Sequence, residues 1–207
     1  MATAQGIADH ISRIGGIPAS TIRTIARRLG EASLLPRGGR GKPPQDLSAR
    51  DCARLIVGTM RIADGINGAA ARVDQLVNDV ERLRGRGKVS LGTDFDTPEM
   101  PIVEPGSFVD QLASLIRRLL TDERALLTSG VSAVGLSSGP AGLWGWVELR
   151  GAGSPSFKDR PQVSQASGKI RVIFGPRDFD LRGLTREVRI TSEALCEIAA
   201  AWHSESC

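Results

Sequence analysis

The fold of the N-terminal part of the chain is decided by the stretch Ile11-Ser12-Arg13-Ile14-Gly15-Gly16-Ile17-Pro18-Ala19-Ser20-Thr21-Ile22-Arg23-Thr24-Ile25. Apolar residues recur at helical spacing on both sides of a glycine pair, which predicts two helices joined by a tight turn. We expect Gly16 in the turn, because glycine adopts a positive φ with little steric cost. We expect Ile22 and Ile25 to form the buried side of the second helix.

Helical periodicity continues outward from this stretch. It predicts helices over residues 4–15, 18–33, a run that begins at Ser48, 69–84, 107–128 and a last run that begins at Ser192. Ser48 with Asp51, and Ser107 with Asp110, resemble capping boxes. Alternating apolar residues predict strands over residues 131–136, 143–150, 169–174 and 185–191.

These elements predict an α+β fold in two domains. Residues 1–84 would form an all-α domain, and residues 85–106, rich in proline and acidic residues, would form a linker. Residues 107–207 would then form a helix, a small, mostly antiparallel sheet and a C-terminal helix.

Charge is distributed unevenly along the chain. Residues 1–90 contain 15 Lys and Arg against 8 Asp and Glu, a net charge of +7, whereas residues 91–207 contain 12 against 15, a net charge of −3. A basic half beside an acidic half suggests a polyanionic partner for the first. Two observations allow another explanation of this charge. Only four of the 27 basic residues are Lys, and such a preference for Arg also fits the codon bias of a GC-rich genome. An amphipathic helix with exposed arginines is also common on soluble proteins that bind no polyanion.

A resemblance to a known family rests on two short segments. Residues 16–23, Gly-Ile-Pro-Ala-Ser-Thr-Ile-Arg, resemble the turn and recognition helix of helix-turn-helix DNA-binding regulators of bacteria, phages and prophages. Residues 29–36, followed by a Gly- and Arg-rich loop, resemble the end of such a helix where it runs into a wing. The resemblance covers about 45 residues and departs from the family pattern at Ser12, where alanine is usual.

The resemblance implies a helix-turn-helix domain, with or without a wing, that binds double-stranded DNA. Its helix 18–33 would enter the major groove, and the loop after it would reach phosphates or the minor groove. The residues implied to contact DNA are Ser20, Thr21, Arg23, Thr24, Arg27, Arg28, Arg37, Arg40 and Lys42.

The sequence offers little for catalysis, cofactors or metals. The three cysteines, Cys52, Cys196 and Cys207, have no metal-binding spacing, and the only histidines, His10 and His203, lie near opposite ends of the chain. Two Gly-rich segments, residues 38–42 and 85–88, lack the further glycine and the hydroxyl residue that a phosphate-binding loop needs. We therefore expect neither an enzyme nor a bound cofactor or metal, and we assign Trp144 and Trp146 to the core rather than to a stacking platform.

No apolar run approaches the ~18 residues of a membrane span, and the N-terminus does not resemble a signal peptide. We therefore expect no membrane association and a cytoplasmic, nucleoid-associated protein. Its expected function is sequence-specific regulation of transcription by a homo-oligomer, with a dimer favoured and residues 107–207 available for a protein partner. Two alternatives stay open: a small DNA-recognition subunit of a phage packaging machine, which would form rings of many subunits, and a protein-interaction module that does not bind DNA.

Overall fold

The computed structural model describes residues 3–36, 46–63, 73–83, 85–90, 106–121, 131–139, 142–150, 169–174 and 186–204. The described elements are α1 (Ala4–Gly15), α2 (Ala19–Glu31), α3 (Ala49–Ala63), α4 (Val73–Glu81), β1 (Gly85–Ser90), α5 (Phe108–Thr121), β2 (Val131–Gly139), β3 (Gly142–Arg150), β4 (Lys169–Phe174), β5 (Arg186–Thr191) and α6 (Ser192–Ser204). Helices and an antiparallel sheet in one chain confirm the predicted α+β class.

Side-chain caps begin the helices where the sequence predicts them. In front of α3, the backbone N–H of Asp51 donates to the Ser48 hydroxyl at 3.2 Å, and the backbone N–H of Ser48 donates to the Asp51 carboxylate at 3.0 Å. The same pair of bonds joins Ser107 and Asp110 in front of α5. Both capping boxes are therefore confirmed, with Asp in place of the more usual Glu or Gln.

Helix α2 ends in a left-handed residue that is not glycine. Ser33 has a φ of 60°, and its N–H donates to the Gly30 carbonyl at 2.9 Å. The N–H of Leu34 donates to the Leu29 carbonyl at 2.8 Å. This pair of bonds is the Schellman arrangement, which satisfies the last helical carbonyls. It turns the chain so that Leu34 and Leu35 are buried.

The five described strands form one antiparallel sheet in the order β1-β4-β3-β2-β5. Four of them lie close to the predicted strands, and β4 has the predicted bounds. Strand β1 differs from the prediction, because residues 85–90 pair with β4 although the sequence places them in a linker. Glycine-rich, basic residues carry a weak strand pattern, and pairing with β4 overrides it. Residues 91–105 of the predicted linker lie outside the described residues.

One face of the sheet packs against helices. Phe108 of α5 lies so close to Gly145 of β3 that a Cβ atom at this glycine would stand 2.4 Å from the ring. The Phe108 ring also packs against Phe174 of β4, with 5.7 Å between the ring centroids. Val134 and Val147, on this same face, are buried with α5 and α6 in the hydrophobic core.

The other face of the sheet buries two tryptophans and several polar groups. Trp144 and Trp146 are each 1% exposed, as the core assignment predicts. The Trp146 indole N–H donates to the Ser137 hydroxyl at 2.9 Å, and the Ser132 hydroxyl donates to Oε1 of the buried Glu148 at 3.0 Å. The indole of Trp146, the hydroxyls of Ser137 and Ser132 and the carboxylate of Glu148 are thus hydrogen-bonded inside the protein, as most buried polar groups are.

The N-terminal helices and the later elements share one hydrophobic core. The backbone N–H of Phe108 donates to the Leu83 carbonyl at 3.0 Å, and the indole N–H of Trp202 in α6 donates to the Leu47 carbonyl at 2.7 Å. Regions that the sequence assigns to separate domains are therefore joined by direct contacts. Among the described helices, none has both the length and the apolar character needed to cross a bilayer.

Candidate nucleic-acid interface

The turn between α1 and α2 has the geometry that its glycine pair predicts. Gly16 follows α1 with φ 64° and ψ 15°, in the left-handed region. The Ser12 hydroxyl donates to the Ile17 carbonyl at 2.6 Å. The serine that departs from the family pattern therefore ties α1 to the turn, a role that residue size alone does not reveal.

Helix α2 is held in place by its apolar side. Ile22, Ile25 and Leu29 are fully buried, and α2 contacts α1, α3 and α4. Helix α3 approaches especially closely at Gly58, where an added Cβ atom would stand 2.9 Å from Cγ2 of Ile25. This packing fixes the rotation of α2 about its axis, which leaves the opposite side of the helix facing solvent.

The solvent-facing side of α2 carries four of the nine side chains that the sequence assigns to DNA contact. Ser20, Arg23, Arg27 and Arg28 are exposed, whereas Thr21 and Thr24 are half-buried. The Thr24 hydroxyl donates to the Ser20 carbonyl at 2.9 Å, so its proton is engaged within the helix. We call the exposed part of this set, namely Ser20, Arg23, Arg27 and Arg28, the α2 face.

Each arginine of the α2 face lies near a carboxylate of the same chain. Nη2 of Arg23 is 2.9 Å from Oδ1 of Asp9 on α1, and Nη1 of Arg28 is 3.2 Å from Oε2 of Glu31. Nε of Arg27 is 3.8 Å from Oε1 of Glu31. Hydrogen bonds from Gln5 and then Arg23 hold the pKa of Asp9 below its usual value. Asp9 is therefore ionised at neutral pH and keeps its attraction for Arg23.

These ion pairs are exposed and consequently weak. The arginine side chains are 50%, 66% and 49% exposed for Arg23, Arg27 and Arg28. Exposed pairs contribute about 0–1 kcal/mol, because water screens the attraction and ordering two long side chains costs entropy. A phosphate or a guanine edge could replace such a carboxylate at little cost. Arg27 is the most available of the three, since it is the most exposed and has the longest contact.

The basic loop after α2 lies outside the described residues. Arg37, Arg40 and Lys42 belong to residues 37–45, so the structure gives no position for them relative to the α2 face. The sequence places them 6 to 11 residues after Glu31, the last residue of α2, with no acidic residue among them.

A second group of charged residues, which the sequence analysis did not bring together, is centred on Arg50 and Arg54 of α3. We call it the ion-pair cluster. Nε of Arg54 is 2.7 Å from Oε1 of Glu81, and Arg50 contacts Glu81 at 3.5 Å and Asp110 at 3.4 Å. Nη1 of Arg54 also contacts Asp51 at 3.3 Å and donates to the Leu34 carbonyl at 2.8 Å. The cluster joins α3, α4 and α5 to the segment that ends α2.

Within the described part of the chain, no three His, Cys, Asp or Glu residues are grouped so that they could hold a metal ion. Burial raises the pKa of the Cys52 thiol to about 12. Cys52 is therefore protonated at neutral pH, and because the thiolate is the reactive form, it behaves as a core residue of α3.

Comparisons with known proteins give no family or relative from which a role for the α2 face could be inferred. No protein-family model matches the chain, and searches of curated proteins and of solved structures found no similar protein.

Proposed function

We propose that this protein binds double-stranded DNA through the α2 face and acts as a sequence-specific transcription regulator of the type found in phages and prophages. One observation carries the proposal. A glycine-hinged helix pair buries Ile22 and Ile25 of α2, while Arg23 and Arg27 of the same helix point away from the core into solvent. A helix held in this way, with an exposed cationic side, fits the major groove of B-form DNA.

The side chains of the α2 face suit two kinds of contact. Arg27 has the reach and the planar donor fork to pair with O6 and N7 of a guanine, and the hydroxyl of Ser20 can bond to either a base or a phosphate. Arg28, at the flank of the helix, suits a phosphate contact. Arg23 would have to exchange Asp9 for DNA, and the loop cations Arg37, Arg40 and Lys42 would add attraction for the backbone.

The proposed mechanism is binding without chemistry. Contacts to base edges supply sequence preference, and arginine–phosphate contacts supply affinity that falls as salt rises. The ion-pair cluster supports the interface indirectly, because Arg54 fixes the carbonyl of Leu34 just after α2 ends.

The test starts from a pool of randomised duplex DNA, because the target sequence is unknown. Repeated selection on the full-length protein at low salt should enrich a preferred sequence, whose affinity is then measured by fluorescence polarisation over a salt series. Replacing Arg27→Ala should weaken binding to the enriched duplex by about 1–3 kcal/mol. Replacing Arg28→Ala should weaken all duplexes alike and reduce the salt slope by about 1.

The matched control is Arg117→Ala, which removes an exposed arginine of α5 outside the α2 face. It should leave affinity unchanged. No binding to any duplex at low salt would refute the proposal and leave the protein-interaction alternative. Binding that is equally unaffected by Arg27→Ala and Arg117→Ala would show that another surface contacts DNA. Rings of many subunits on the DNA would favour the packaging alternative.

A further inference from the structure

Strand β5 is an outer strand of the described sheet. Among the described strands it is hydrogen-bonded to β2 alone, so no described strand covers its other side. An edge strand presents backbone N–H and C=O groups that can pair with another strand, and proteins block such edges or use them for assembly.

The side chains of β5 separate into two rows. Glu187 and Arg189 are exposed and share one face with Ser137 and Gly135 of β2. Val188 and Ile190 lie on the other face, where they are half-buried against the hydrophobic core. The exposed row therefore contains a negative charge one residue before Val188 and a positive charge one residue after it.

This arrangement is self-complementary about Val188. If two copies of β5 pair antiparallel around a two-fold axis perpendicular to the sheet, a residue on that axis faces its own copy. With Val188 on the axis, Glu187 of each protomer lies opposite Arg189 of the other, which gives two cross-strand ion pairs. Opposite charges at such positions stabilise strand pairs, and like charges destabilise them.

Charge also disfavours the neighbouring registers. With position 187 on the axis, the two copies of Glu187 would face each other, and with position 189 on the axis, the two copies of Arg189 would do so. Moving the axis by one residue in either direction, which shifts the strand register by two residues, thus replaces attraction by repulsion. Only the Val188 register among these three brings unlike charges together and an apolar pair onto the core side.

The other edge strand, β1, lacks this property. Its charged residues, Arg86 and Lys88, are both basic, and its register with β4 is irregular between Gly85 and Gly87. Irregularity and like charge are devices that keep an edge from pairing.

We infer that two copies of this chain associate through β5, in antiparallel register about Val188, to form a dimer with a sheet that continues across the two-fold axis. The partner is therefore a second copy of the same protein. The interface does not involve the α2 face, so a test of the dimer can fail or succeed whether or not the protein binds DNA.

A charge-swap series tests the register with the full-length protein in sedimentation equilibrium. Glu187→Arg and Arg189→Glu should each weaken the dimer by at least about tenfold, because each turns two attractive contacts into repulsive ones. The double variant Glu187→Arg with Arg189→Glu exchanges the charges and should restore the dimer to within about threefold of the wild type. The control Arg117→Glu, on α5, should have no effect.

Disulfide trapping gives a second measurement that does not depend on charge. Val188→Cys, in a chain with Cys196 and Cys207 replaced by Ser, should cross-link two protomers on mild oxidation, because residues on the axis face each other across the strand pair. Ile190→Cys is the matched control. Its two copies would be separated by four residues, about 14 Å along the strands, and cannot form a disulfide.

Three results would overturn the inference. They are a wild-type protein that stays monomeric over the whole concentration series, a dimer that both single variants leave intact, and cross-linking that is equal at positions 188 and 190. Restoration of the dimer by the double variant would support it in a way that a general loss of folding cannot imitate.

Discussion

Arginines serve opposite purposes on α2 and on α3. Arg23, Arg27 and Arg28 of α2 are about half exposed or more and make single contacts with carboxylates. Arg54 of α3 is 19% exposed and contacts Glu81, Asp51 and the Leu34 carbonyl together. The same side chain therefore stabilises the fold in one place and remains exchangeable in the other. The surroundings make the difference, since shielding from water strengthens a charge pair and raises the cost of breaking it.

The largest expected effect on stability comes from removing Arg54, the arginine that is shielded from water. Arg54→Ala should lower the free energy of unfolding by about 2–3 kcal/mol, because it leaves the Glu81 carboxylate and the Leu34 carbonyl without their strongest donor. Urea unfolding followed by circular dichroism measures the change. A loss below about 0.5 kcal/mol would mean that the ion-pair cluster is no stronger than an exposed pair.

The turn that presents the α2 face should be the next most sensitive position. Gly16→Val forces a β-branched residue into the left-handed region and should cost about 2 kcal/mol of stability. Gly15→Ala is the control one residue away. Gly15 is helical, and its added Cβ would have only ordinary contacts, 3.6 Å from Ile17. It should be neutral or stabilising by up to about 1 kcal/mol. Equal thermal stability of the two variants would show that the positive φ of Gly16 is not required.

A gain of stability is expected at Ser33, which follows the end of α2 and has a positive φ. Ser33→Gly relieves a left-handed non-glycine residue and should raise the free energy of unfolding by about 0.5–1 kcal/mol, after the extra chain entropy of glycine is counted. Thermal and urea unfolding both report this change. A destabilised Ser33→Gly variant would indicate that the serine side chain contributes more than the backbone strain costs.

The smallest effect on stability should come from the α2 face itself. Arg27→Ala and Arg28→Ala should each change the free energy of unfolding by less than about 0.5 kcal/mol, since they remove only exposed pairs with Glu31. Unfolding curves on the samples prepared for the DNA-binding measurements provide the check. Destabilisation close to that of Arg54→Ala would remove the contrast between α2 and α3.

Local patterns predict much of this fold. The helix over residues 4–15, the strand over residues 169–174 and both capping boxes follow from signals within a few residues of each other. Strand β1 was missed because its Gly- and Arg-rich sequence gains strand structure only by pairing with β4, some 80 residues away. Pairing across that distance leaves no periodic trace in the sequence.

The candidate site was predictable to a similar extent. Helical spacing separated the buried Ile22 and Ile25 from the exposed Arg23 and Arg27 of α2. It could not reveal that Arg23 meets Asp9 of α1, because that contact depends on how the two helices cross. The ion pair between Arg54 and Glu81 was out of reach for the same reason, since 27 residues separate its members.

The bond from the Trp202 indole to the Leu47 carbonyl has a practical consequence for dissecting this protein. It clamps the last helix onto the residues that lead into α3, so a fragment cut after residue 84 would lose a neighbour that its own helices pack against. Such an excised piece would expose apolar surface of α1 and leave a backbone acceptor unsatisfied. A loss of activity in such a deletion would then reflect a destabilised fold and would not locate the functional residues. Point substitutions in the whole chain avoid this problem.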